Sequence, residues 1–195
     1  MGAWIPEAYQ DYIINQIKEC DEQAMCSAQP STYYNVVRPP IREASTAYDV
    51  GDLIHPPEAN GFIYECIAAG ITDVLDPAWG DVQDETFLDG TVLWKSHENY
   101  ALVNCARVAG DYAVNDYNDP VEGITGRSLT LTEEQGSITH TAGVVSHCAL
   151  ICSTDRTLRY VTEAQTTIGN NTLESGRSTI FYALNIIVTD PQIIS

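Results

Sequence analysis

Positive charge is what this sequence has least of. Nine Lys and Arg stand against 27 Asp and Glu in 195 residues, a formal net charge of -18. Such a surface repels phosphate backbones and anionic lipid, so neither nucleic acid nor membrane is an expected partner. Long apolar runs are missing too. The opening MGAWIPEAYQDYIINQ has no basic residue before Lys18 and no continuous hydrophobic stretch. It matches neither a signal peptide nor a membrane span, which leads to the expectation of synthesis and folding in a cytoplasm. Catalytic signatures are equally scarce. A nucleophile elbow, a helical HExxH, a phosphate loop and a dinucleotide glycine fingerprint are all absent. Ser137, His140 and Asp155 make a triad only if geometry unites them, and paired carboxylates for glycoside cleavage depend on a separation in space. The expectation is a non-catalytic protein without a cofactor.

Six cysteines are present, Cys20, Cys26, Cys66, Cys105, Cys148 and Cys152. With no export signal in view they are expected as thiols, and Cys66, Cys105 and Cys148 lie in apolar runs where a thiol acts as a small buried hydrophobe. His147, Cys148 and Cys152 invite a zinc reading. On one extended strand, however, His147 points away from the face shared by Cys148 and Cys152, so no metal is expected. Asp73, Asp76, Asp81, Asp84, Glu85 and Asp89 form an acidic run with no basic residue before Lys95. Their irregular spacing, broken by Pro77 and Trp79, does not fit a calcium loop and reads as a solvated acidic segment.

Helical periodicity appears once. Residues 4–26 read as an amphipathic helix with Pro6 in its first turn and Tyr9, Ile13, Ile14 and Ile17 on one face, expected to fray after Cys20 because Glu19, Asp21 and Glu22 oppose its dipole. Thr32–Val37 reads as a short strand. Further strands are expected at Phe62–Ala68, Thr91–Lys95, Tyr100–Ala109, Ser128–Leu131, Val144–Cys152, Leu158–Ala164 and Ile180–Val188. Turn chemistry falls at Asn60-Gly61, Asp89-Gly90, Gly110-Asp111, Glu134-Gln135-Gly136, Asp155-Arg156 and Gly169-Asn170-Asn171. The fold class is therefore mainly β: an N-terminal helix and strand arm over 1–44, a small aromatic-rich β module over 45–98, and a C-terminal antiparallel β-sandwich over 99–195.

Two resemblances add to this. Tyr48-Asp49-Val50-Gly51-Asp52, Gly61-Phe62-Ile63-Tyr64-Glu65-Cys66 and Pro77-Ala78-Trp79 resemble a small chitin-binding type of carbohydrate module. That resemblance implies aromatic contacts to a glycan or partner at Tyr64, Trp79 and Trp94, set against the alternative that these rings form a miniature core. The stretches Val144–Cys152, Leu158–Thr162, Thr172–Gly176 and Phe181–Pro191 resemble, in order, a β-domain of tailed-bacteriophage structural proteins. This second resemblance implies a virion protein made in the host bacterial cytoplasm, a homo-oligomer that decorates or cements the capsid or forms part of the neck. Its partner would then be the major capsid or neck protein. A carbohydrate-binding module or host-receptor appendage is the alternative.

Overall fold

The computed structural model describes residues 7–119, 124–164 and 171–189. It is mainly β; among the described residues one helix exceeds a single turn and the named strands all pair antiparallel, with a lone parallel bridge between Ile41 and His55. The helix runs Glu7–Lys18, and Gln10, Ile14 and Ile17 form its buried stripe. Residues 4–6 of the expected helix lie outside the described residues. Tyr9, expected on the inner face, is exposed and stacks on Tyr12 with ring centroids 6.2 Å apart.

Past Lys18 the expected helix gives way to a strand, Glu22–Cys26. The acids at the helix end oppose its dipole, and tertiary pairing supplies the alternative. This strand lies inside a four-stranded sheet, between His147–Cys152 and Ala101–Ala106, with Thr157–Glu163 beyond. Ala24 pairs with Ala149 on one side and Asn104 on the other.

Both faces of this sheet are covered. On one face Leu150 packs with Leu129, Leu131 and Ile186 of a second, three-stranded sheet, and with Ile14 and Ile17 of the helix. On the other face Ala24, Cys26, Ala149 and Ile151 pack against Tyr33, Val36, Val37 and Ile63. Arg107, buried inside the sandwich, donates from Nε to Gln23 Oε1 at 3.0 Å and from Nη1 to Thr132 O at 3.0 Å. Ile14→Val, which removes one methylene from this packing, is expected to cost about 1 kcal/mol in urea unfolding. An unchanged midpoint would show the helix to be undocked.

Several other expectations are corrected. Thr32–Val37 is no strand but carries a single 3-10 turn, Tyr33–Asn35. The Asn35 side chain accepts from the Ser31 and Thr32 amides at 3.1 Å and donates to Glu98 O at 2.8 Å, local bonding that displaces a ladder. Val144–Cys152 is two strands in different sheets, Gly143–Val144 and His147–Cys152. Ile180–Val188 likewise divides into Ser178–Phe181 and Leu184–Thr189. Glu134-Gln135-Gly136, read as a turn, belongs to the strand Glu134–Ile138, whose register shifts between Gln135 and Ser137, so the glycine sits in a bulge. Tyr112–Asp119 was not expected at all. Gly169, Asn170, Asp190 and Pro191 lie outside the described residues.

All six cysteines are free, and all but Cys148 are fully buried. Burial pushes the Cys20 and Cys26 thiols up to about 12, and the Cys105 and Cys148 thiols up to about 11. Thiolate is the reactive form, so the native protein is expected to react slowly with a thiol reagent, while denaturation without reductant should expose six groups. Recovery of two or fewer after denaturation would refute this.

Candidate functional site

The small module is a four-stranded sheet ordered Leu53–Ile54, Phe62–Ala68, Val92–Glu98, Thr86–Asp89. Alternation sends Tyr64, Cys66, Val92 and Trp94 to one face, where they form a buried core with Ile54. The residues singled out for glycan contact are thereby gathered into one cluster, with Trp79 packed against the core that holds Tyr64 and Trp94. Tyr64 and Trp94 have no exposed surface, and only Trp79 is part-exposed. The Trp79 and Tyr64 ring centroids are 4.9 Å apart, and Phe87 meets Tyr64 edge-on at 5.3 Å. The Tyr64 hydroxyl donates to Gly80 O at 2.7 Å, which ties the Trp79 loop to the sheet. Tyr64 and Trp94 therefore present no ring to a sugar; the module needs them for packing.

Beside this core lies Arg42, the sole basic residue between Arg38 and Lys95. Its guanidinium donates from Nε to Asp89 Oδ2 at 2.7 Å and from Nη2 to Asp89 Oδ1 at 2.8 Å, a bidentate pair with both side chains almost fully buried. Nη2 also reaches the carbonyls of Asp73 and Leu75 at 2.6 and 3.0 Å, and Nη1 reaches Asp76 at 3.0 Å. Asp89 was expected in water with the rest of the acidic run. It is buried instead, because Arg42, the Asp73 amide and the Trp94 indole supply the partners that make a buried carboxylate tolerable.

The clamp fixes a loop that displays apolar side chains. Val74 and Leu75, between the Asp73 carbonyl and the Asp76 carboxylate, are 71% and 77% exposed. Ile41 adjoins Arg42, Leu88 adjoins Asp89, and both are exposed as well. Exposed Asp73, Asp76, Asp81, Asp84 and Glu85 surround them in sequence.

The other face of the module sheet meets the sandwich. His97 stacks on Tyr34 at 4.0 Å with the planes 7° apart, and Glu65 accepts from the Tyr34 hydroxyl at 3.2 Å and lies 3.0 Å from His97 Nε2. Arg156, from the turn before Thr157–Glu163, donates to Gly51 O at 2.6 Å. Deeper in, Asn104 donates from Nδ2 to Glu22 and to Val36 O at 2.8 Å. Its Oδ1 must therefore face His140, whose Nε2 donates across 2.8 Å.

Burial pushes the Glu22 carboxyl from 4.5 up to about 7, aided by Asp21 and opposed by Asn104 and the Arg38 amide. The folded state thus holds this proton more tightly than the unfolded one. The associated stability is complete below pH 4.5 and is lost as pH rises through 7, on the order of 2–3 kcal/mol. Urea unfolding at pH 5 and pH 8 should show this loss, and Glu22→Gln should remove it. An identical pH dependence in the two proteins would refute the assignment.

The described residues contain no group of three His, Cys, Asp or Glu able to hold a metal, and no helix among them is long and apolar enough to cross a membrane. His147 Nδ1 lies 2.9 Å from Ser146 Oγ. No family model, curated protein or solved structure matches the chain. Sequence reasoning passed over Arg42 and Glu22. For Arg42 a signal existed: a lone cation facing a long acidic run is placed to neutralise part of it.

Proposed function

We propose that this chain is a non-catalytic structural component of a tailed-bacteriophage particle that binds the capsid or neck and decorates or stabilises it. The observation that carries the binding part is the exposure of Val74 and Leu75 on the loop that buried Arg42 holds through the Asp73 and Leu75 carbonyls, with exposed Ile41 and Leu88 next to Arg42 and Asp89 in sequence. The ordered C-terminal sequence pattern supports the phage context. Acidic residues around the apolar group favour a partner that offers an apolar pocket with a basic rim. A second copy of the same face would meet like charge, so this surface serves a different subunit. Self-association, if it accompanies docking, falls to the sandwich, whose open sheet edges are ordinary sites of strand pairing. Many equivalent copies on one particle convert modest single contacts into firm attachment.

The test is mass spectrometry with copy counting of purified particles, followed by electron microscopy to localise the chain. Stoichiometric incorporation is expected, and Leu75→Asp should reduce it while leaving the melting temperature unchanged, because Leu75 is exposed. Absence from particles would overturn the reading.

A further inference from the structure

A cleft of about 210 Å³ opens between the small module and the sandwich, bounded among others by Arg38, His55, Phe62, Tyr100, His140 and Thr141. None of its lining residues is acidic, in a chain with 27 carboxylates. Six of the nine Lys and Arg have a carboxylate within salt-bridge distance; among the described residues Lys18, Arg38 and Arg107 have none, and of these Arg107 is spent on Gln23 and Thr132 while Arg38 lines the cleft. Its guanidinium is partly desolvated, which lowers its pKa from the ordinary arginine value. An unpaired cation here, where every wall lacks an acid, is a ready anion contact.

The histidines of the cleft have distinct states. His55 Nδ1 lies 2.7 Å from Pro56 O, and a carbonyl only accepts, so Nδ1 carries the hydrogen and Nε2 keeps a free lone pair. Burial, with the charge of Arg38, lowers the His55 pKa and favours the neutral ring, although the Pro56 carbonyl opposes them. His140 has both nitrogens engaged, by Asn104 and Thr141, and acts as wall. Val37, Phe62 and Leu102 supply apolar surface.

We propose that this cleft binds a small hydroxylated carboxylate, its carboxylate on Arg38 and one hydroxyl donating to His55 Nε2. The fork of Arg38 matches a carboxylate in two parallel bonds, the lone pair of His55 asks for an O–H donor, and the apolar wall covers a carbon face. The volume equals that of about seven waters at roughly 30 Å³ each, room for one sugar acid or a short hydroxy acid within the cleft. The ligand chemistry has two sources, a free hydroxy acid or an acidic sugar of a glycan. Attachment to particles has no part in this argument, so either reading can fail without the other.

The experiment is calorimetric titration of the full chain with glucuronate, lactate and glucose. Saturable binding of at least one acid is expected, with glucose weaker by about tenfold or more for want of the charge-assisted bonds. Arg38→Gln, an exposed position, should weaken the acids about tenfold without a change in melting temperature, and folded His55→Phe should weaken them as well. Lactate binding as well as glucuronate assigns the free acid; glucuronate alone, tighter still as an oligosaccharide, assigns the glycan. Failure of both acids to saturate the protein, or equal affinity in folded Arg38→Gln, would overturn the proposal.

Discussion

Arg42→Met is expected to destabilise the protein by about 3–5 kcal/mol, because it leaves the Asp89 carboxylate buried without its main partner. Asp89→Leu alone should cost a similar amount by stranding the guanidinium. The double variant should recover much of either loss, since two apolar side chains of similar volume avoid both desolvation penalties. Urea unfolding of the three variants forms the cycle. Single variants within about 1 kcal/mol of wild type would show that the pair is hydrated rather than buried. The pH dependence has a definite sign. Burial pushes the Asp89 carboxyl up, but Arg42, the Asp73 amide and the Trp94 indole outweigh burial and hold it below 3.8. Its stabilising contribution is therefore present above pH 3.8 and is lost as pH falls through the lower folded value, so the clamp opens in acid. Particle attachment, if it uses Val74 and Leu75, should fail in the same acid range.

Trp94→Ala is expected to cost about 3–5 kcal/mol, the range for deleting a large buried aromatic. Trp94 has no exposed surface, meets Tyr48 edge-on at 5.1 Å and packs with Val92 and Ile54. Trp79→Ala serves as the contrast, because Trp79 is part-exposed and sits on a loop. Thermal unfolding should drop sharply for the first and modestly for the second. If Trp94→Ala unfolded like wild type yet lost affinity for a glycan, the ring would be a ligand platform and the packing account would fail.

Two module strands, Phe62–Ala68 and Thr91–Lys95, were legible as short β-branched and aromatic runs between turn signals, and Asn60-Gly61 marks the entry to the first, where Gly61 takes φ +83°; Leu53–Ile54 and Thr86–Asp89 were not expected. Asp89-Gly90 was legible as a turn signal too. There φ is +62°, and a Cβ on Gly90 would lie 2.3 Å from Ile71 O, so the turn requires glycine twice over. Glu22–Cys26 was not legible. Five residues with little β propensity follow directly on a helix, and the pairing that makes them a strand comes from residues 101–106 and 147–152. Thr32–Val37 failed the other way, strong β propensity overridden by one asparagine side chain. Of the aromatic site residues, sequence showed that Tyr64, Trp79 and Trp94 belong together but not which way the rings face, since pattern alone does not distinguish a covered sheet face from a bare one. The Arg42 clamp depends on a side chain reaching Asp89, 47 positions along the chain.

The interior place of Glu22–Cys26 governs the order in which the chain can mature during synthesis. The strand leaves the ribosome before either partner: Ala101–Ala106 follows about 80 residues later and His147–Cys152 later still, a wait of roughly 4–16 s for the first at bacterial and eukaryotic elongation rates of about 5–20 residues per second. The strands of the small module lie within residues 53–98 and can pair among themselves during that interval. Ala24, Met25 and Cys26 meanwhile have no sheet to enter. The nascent chain is therefore a finished module trailing an unpaired strand, the stage at which a chaperone or a neighbouring nascent copy would find it open.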